Sequence, residues 1–339
     1  MSNKVFKQLP TFARRTYRGG KLLRRFLRME PAVDNSCPED WISSFVEAKN
    51  KEFLPGEGIT RVLTENGECL ITDAVAPEDF GEGRKNSGVL IKLLDAGERL
   101  GIQVHPTKEY AKAHFGTPYG KTECWYILDT RDENACVYLG FKEHVTRESF
   151  KELFDRQDVP AMLEAMHCFR VRRGDVILVT AGTPHAIGAG CFLLEIQEPT
   201  DYTMRAEKIT LAGEVLTPQQ IHYGVGEEAM LNCFSYAGGT EEEIKQRHFL
   251  PARKSADGLL DLVRYTDTEC FALREVKGGT CTVSSPFFLT VVVTEDGGTI
   301  SYETATHSLS RGEKYFICAD TEFTLKDARA ILCYPPRHS

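Results

Sequence analysis

The sequence predicts a mainly β chain made of two β-barrel or jelly-roll units with helical insertions. Three observations support this reading. Short β-rich runs at residues 89–94, 99–105, 122–129 and 135–141 are separated by Gly, Asp and Pro. Comparable runs return at 287–293, 299–302 and 315–318. The two series also share an internal similarity: Arg173-Gly174-Asp175 followed by VILVTAGTPHAI lines up, 138 residues later, with Arg311-Gly312-Glu313 followed by KYFICADTEFTL. In that alignment His185 falls opposite Phe323, as expected of a duplicated barrel in which one copy kept a ligand. The expected division is a larger unit over 1–252, carrying the helical insertions, and a smaller β unit over 253–339, with residues 253–258 as linker.

Helical segments interrupt the strands. Thr107 is a candidate N-cap for a helix over 107–115 with Tyr110, Ala113 and His114 on one face. Thr146 caps a second that buries Phe150, Leu153 and Phe154, and Pro160 fits the first turn of a third, with Met162, Ala165 and Met166 inward. Residues 216–246 read as helical, with Thr240 and Glu243 forming a capping box. The acidic run 241–243 is then a first turn matched to the helix dipole.

Composition narrows the function classes. The 339 residues are 42% hydrophobic and 27% charged, which is ordinary globular usage. No apolar run approaches the roughly 18 residues of a membrane span. Residues 1–30 hold nine lysines and arginines against the single acid Glu30, although the chain as a whole carries −8. These cations interleave with Phe6, Phe12, Tyr17 and Phe26, so the expectation is a packed segment that lends cations to an anionic substrate. A sequence pI near 5.7 argues against a nucleic-acid partner. The eleven cysteines include no CxxC pair, which fits a reducing, cytoplasmic setting and neither a disulfide framework nor a thiolate zinc site. Phosphate-cradling, H-E-x-x-H and dinucleotide motifs are absent from the sequence.

One constellation carries chemistry. Gln103 and His105 stand two residues apart and so share a strand face. Glu123 follows on another strand, and a Gly/Pro turn delivers His185. If the barrel closes, two imidazoles, a carboxylate and an amide oxygen converge, a set suited to zinc and accessible to iron, cobalt or manganese. Gly97-x5-Gln103-x-His105 and Gly174-x5-Thr180-x-Gly182-x2-His185 resemble the two metal-binding motifs of the cupin barrels, with Gln-x-His in place of the usual His-x-His.

More narrowly, GIQVHPTKEYAKAHFGTPYGKTECWYIL and AGTPHAIGAGCFLLEIQ resemble the zinc-dependent type I mannose-6-phosphate isomerases, particularly the short bacterial form, from about residue 89 to 205. The resemblance implies a double cupin with one zinc ion per chain held by Gln103, His105, Glu123 and His185, a sugar-phosphate substrate and aldose–ketose isomerisation. It also implies that Lys121, Glu195 and Arg205 line the site and that Lys92 contacts phosphate. Glu195 is the candidate base, Arg205 a cationic fork for a developing oxyanion, and Lys121 a proton relay. The bland alternatives are a Glu195–Arg205 ion pair and an edge or outward-facing Lys92. Three positions depart from the family: Gly101 stands for a serine, Leu211 for a basic residue, and Arg18 for the tryptophan of a Trp-Gly-Gly, although Glu39-x-Trp41 keeps a later family pair. Arg18, Lys21, Arg84 and Lys85 could supply substitute phosphate contacts, Arg18 foremost. An isomerase of another sugar and a non-catalytic, metal-stabilised carbohydrate-binding cupin remain competing readings. The residues leave monomer and homodimer equally open.

Overall fold

The structure, a computed structural model, describes residues 4–337. It is mainly β, and its first barrel closes between two antiparallel sheets. The larger has six strands in the order Val176–Val179, Glu123–Thr130, Cys191–Gln197, Leu90–Asp95, Glu39–Ile42, Phe12–Ala13. The smaller runs Met166–Arg170, Cys136–Phe141, His185–Ile187, Gln103–Val104, Met204–Arg205. Cys191–Gln197 is buried at every position, which is why its sequence is a nearly unbroken apolar run. Its one acid, Glu195, sits in register with Lys92 on one neighbour and Trp125 on the other. Leu94, Trp125 and Ile127 from the larger sheet meet Val137, Leu139 and Ile187 from the smaller and fill the barrel beneath the polar end.

The second barrel repeats the plan. Its large sheet includes Arg253–Lys254, Leu260–Val263, Ala272–Lys277, Arg329–Tyr334, Leu289–Val293 and Lys314–Ile317, and its small sheet Thr280–Val283, Phe323–Lys326, Thr299–Tyr302 and Ala305–Ser308. Val176–Val179 and Lys314–Ile317 are the matched strands of the duplication, each following a glycine at positive φ, Gly174 at 94° and Gly312 at 88°. The two large sheets pack back to back through Tyr126, Phe192, Leu194, Phe271, Phe288 and Phe316.

The division at residue 252 is not a clean cut. Val5–Gln8 pairs with Lys314–Ile317, and Arg61–Thr64 and Gly67–Leu70 extend the same sheet, so N-terminal strands complete the C-terminal barrel. The expected linker also contains strand: Arg253–Lys254 forms a hairpin with Leu260–Val263.

The helical inserts follow their caps. Thr107 accepts from the Tyr110 amide and opens Lys108–Phe115, but Ala111 is the buried residue, not Ala113 or His114. Thr107, Ala111 and Phe115 share the inner stripe at a four-residue step. Thr146 opens Arg147–Arg156, which buries Phe150 and Phe154, and Asp158 caps Val159–Glu164 with Pro160 in its first turn. The continuous helix expected over 216–246 is three short ones, Pro218–His222, Glu227–Cys233 and Glu241–His248. Gly224 and Gly226, at φ 81° and 93°, break it after the first, and Gly238-Gly239 precedes the Thr240 cap of the last.

Candidate metal and substrate site

Closure of the first barrel brings the sequence-distant ligand candidates together. Gln103 and His185 are register partners on adjacent strands, and Glu123 begins a strand of the opposing sheet. The turn at Gly182, φ 85°, is tied down by its amide donating to the His105 carbonyl at 2.8 Å. His105 Nε2 lies 3.1 Å from Glu123 Oε2, and His185 Nε2 lies 3.4 Å from Glu123 Oε1. One ligand atom from each of these three buried residues falls within 4.8 Å of the others. The Gln103 amide nitrogen lies 3.1 Å from His185 Nε2, and turning that amide would bring its oxygen to the same point.

The donor set fits a cation. Burial, with the charge of Lys121, lowers the His105 pKa to about 3, and burial lowers that of His185, so both rings are neutral and can offer a lone pair. Each ring is oriented from behind, His105 Nδ1 by the Tyr202 carbonyl and His185 Nδ1 by the Thr183 carbonyl, both at 2.9 Å. This points both Nε2 atoms at the centre. Burial would raise the Glu123 pKa, but Lys121 and the two histidines hold it well below the carboxylate range. Glu123 Oε1 is buried without a hydrogen-bond partner, and an orphaned ionised oxygen there calls for a positive ligand. Lys121 Nζ approaches the same donors, 2.7 Å from His105 Nε2 and 2.6 Å from Glu123 Oε2.

Beside this centre a narrow cleft is lined by Arg15, Tyr17, Gly101, Gln103, Lys121, Glu195 and Arg205, among others. Its wall is a buried charge cluster. Arg15 donates to Glu39 at 2.9 Å and grips Asp201 with two contacts of 3.0 and 3.1 Å. Lys92 Nζ stands 3.4 Å from Glu195, 3.8 Å from Glu39 and 3.9 Å from Asp201. Burial opposes ionisation of Glu39, yet Arg15 and Lys92 bring its pKa down to about 2. Glu195 is raised instead, by burial and then by the charge of Glu123, and Trp125 Nε1 donates to its Oε1 at 3.1 Å.

Three expectations need correction. Glu195 pairs with Lys92 rather than Arg205, because Lys92 is its neighbour in register while Arg205 belongs to the other sheet, opposite Gln103. Lys92 is neither at an edge nor outward-facing: it lies within the sheet, buried, and three carboxylates already match its charge. Arg18 is exposed, engaged with Glu98 and the Asp34 carbonyl, and does not line the cleft. Lys21, Arg84 and Lys85 are also outside the lining, Arg84 being buried against the Ser87 and Pro336 carbonyls. Lys121 and Arg205 do reach the cleft. Arg205 donates to the carbonyls of Thr203 and Gln220 and forms no ion pair among the described residues. Gly101 lies at the cleft lip, and Leu211 is exposed in an adjoining depression that shares Tyr17, Gly101 and Arg205 with it.

Sequence reading missed Arg15 and Asp201 and gave Glu39 no role. The basic N-terminus was the available signal for Arg15, and the Glu39-x-Trp41 alternation for Glu39. Nothing local marks Asp201, whose side-chain partners, Arg15, the Lys49 amide and Lys92, all lie more than 100 residues earlier in the chain.

No family model matches the chain. ManA, the mannose-6-phosphate isomerase of Bacillus subtilis, is 38% identical over 117 residues, 34% of this chain and 36% of the relative. The alignable stretch thus spans two fifths or less of the first curated relatives. In structure the similarity is global. The crystal structure of mannose 6-phosphate isomerase from Bacillus subtilis superposes with a TM-score of 0.74 at 22% identity, covering 98% of this chain and all of that one. A zinc-bound mannose 6-phosphate isomerase gives 0.75 at 16%, with coverage of 98% and 100%. These likenesses show the fold, and together with the sequence match they bear out the resemblance to the type I isomerases.

Proposed function

We propose that the chain is a zinc-dependent aldose–ketose isomerase interconverting mannose 6-phosphate and fructose 6-phosphate, with one zinc ion on Gln103, His105, Glu123 and His185. The observation that carries this reading is the orphaned Glu123 oxygen facing two neutral, back-oriented imidazoles, beside a buried carboxylate whose pKa is raised. When bound, zinc would draw electron density from the substrate's carbonyl and hydroxyl oxygens.

The protein's own residues account for the proton movement. Trp125 fixes Glu195 Oε1, leaving Oε2 on the Lys92 side to take the proton from C2 of the sugar and return it to C1. The hydroxyl proton passes from O2 to O1 with Lys121 Nζ as relay, and negative charge developing on these oxygens is met by Lys121 and the Arg205 guanidinium. Lys92, Arg15, Glu39 and Asp201 act behind Glu195 as a rigid positioning cluster. Lys92 supports a phosphate contact poorly because three carboxylates already match its charge. A cytoplasmic location accords with the eleven free cysteines.

The test is chelation, reconstitution with zinc, and proton exchange plus product formation with mannose 6-phosphate. Zinc-restored fructose 6-phosphate is the expected result; one equivalent of bound zinc with no turnover would overturn the reading. Gly101 and Leu211 favour one second reading, an isomerase of another sugar, because Glu207, held by Arg99 at 2.6 Å, lies beside Gly101 where the family has a serine. A panel of phosphorylated and unphosphorylated sugars separates the two.

A further inference from the structure

The strand registers allow the two barrels to be compared position by position. Val179 pairs with Glu123 in the first barrel and Ile317 with Leu289 in the second, so Leu289 stands where Glu123 does. By the same pairing logic Phe323 replaces His185, Val283 replaces Gln103, and Leu332 replaces Glu195. All four substitutes join one apolar core, so the second barrel lacks the ligand set of the first. The position of Lys92 is nevertheless kept cationic, as Arg274.

The mouth above that plugged core remains open. A cavity of about 700 Å³ is lined by Asp257, Asp261, Arg264, Tyr265, Arg274, Phe287, Tyr334 and Arg337, with hydroxyls from Thr282, Ser284 and Ser285. Its polar floor is pre-organised. Arg274 grips Asp257 at 2.6 and 2.8 Å and reaches Asp261 at 2.9 Å, and Arg264 holds the other Asp261 oxygen at 2.8 Å. Tyr265 is pinned by its hydroxyl donating to the Pro335 carbonyl at 2.5 Å, and the Arg337 guanidinium lies over its ring, 4.5 Å from the centroid. Arg337 has no carboxylate partner among the described residues, so the rim carries one unmatched positive charge.

We infer that this mouth is a second, metal-independent ligand site for a saccharide bearing one anionic group. Flat aromatic walls suit the C–H faces of a sugar ring, fixed Asp–Arg forks and hydroxyls suit neighbouring sugar hydroxyls, and Arg337 suits the anion. The inference does not depend on the first barrel being an isomerase.

Calorimetric titration of the zinc-loaded protein with glucose 6-phosphate, glucuronate, inorganic phosphate and glucose tests it. At least one of the charged sugars is expected to bind at the second barrel, whether or not the first barrel binds it too. Arg337→Ala should weaken that site about tenfold or more and leave mannose 6-phosphate turnover unchanged. Phe287→Ala, also in the lining, should weaken the same site. Comparing glucose 6-phosphate with glucuronate decides between phosphate and carboxylate as the anion. No binding of either charged sugar, or binding that is indifferent to both substitutions, would overturn the inference. Inorganic phosphate binding as tightly as the sugars would remove the saccharide from it, and equally tight glucose would remove the anion.

Discussion

At the scale of single residues, the first barrel separates two carboxylates by environment. Glu123 is surrounded by donors and cations and stays ionised, whereas Glu195, buried and shadowed by the charge of Glu123, is pushed upward. Glu195→Gln keeps the shape and the Trp125 contact but removes the proposed base. It should lower kcat by roughly 10²- to 10⁴-fold with zinc content unchanged, as read by steady-state kinetics alongside metal analysis. Glu39 makes a different prediction, about stability. Its folded pKa, about 2, lies below its ordinary value of 4.5, so between those values the unfolded chain binds more protons. Its contribution is therefore complete above about pH 4.5 and lost as pH falls toward 2. The difference corresponds to about 3 kcal/mol, shared with Arg15 and Lys92. Urea titrations at pH 6 and pH 3 should show a smaller loss of stability on acidification for Glu39→Gln than for the native chain. The four candidate ligand positions were legible because strand alternation and a Gly/Pro turn are local features. The cluster behind Glu195 was not, because Arg15, Lys92 and Asp201 acquire their roles only from contacts between distant segments.

At the scale of elements, the helical inserts were legible where a side chain caps them. Thr146 and Ser149 satisfy each other's backbone amides, and the helix they open buries Phe150 and Phe154 against Phe141 and Phe234. Thr146→Ala should cost about 1 kcal/mol in denaturant unfolding and leave activity intact, since the helix lines no part of the cleft. The stretch 216–246 was harder to read because helix-forming residues dominate its composition while its interruptions depend on a few glycines. A short strand at the barrel corner was harder still: Met204–Arg205 has two residues, too few for alternation to register. Yet it pairs with Gln103–Val104 and carries Arg205 to the cleft.

For the whole molecule, the duplication is visible in the sequence but the interlocking of its halves is not. The N-terminal strand completes the distant barrel, and a buried ion pair crosses the same boundary: Lys314, 1% exposed, reaches Asp40, 0% exposed. Asp40 also accepts the Thr11 amide at 2.6 Å, and Ser43, on the same N-terminal segment, meets Thr290 at 2.6 Å. The pair lies between Val5–Gln8, Glu39–Ile42 and the second barrel, so it ties the register of three chain segments together. Lys314→Met would leave the Asp40 charge buried without its cation, a loss expected to cost about 3–5 kcal/mol. Adding Asp40→Asn should recover part of that cost, because the second substitution removes the charge the first one strands while keeping an acceptor for Thr11. If the barrels were independent units, Lys314→Met would lower the melting of the second barrel alone. Because the strands are shared, one cooperative transition should instead move to lower temperature, with zinc release at the first barrel following the same curve. Calorimetry read alongside a chromogenic zinc indicator distinguishes these outcomes, and two separated transitions would show that the boundary is energetically weaker than its hydrogen bonding implies.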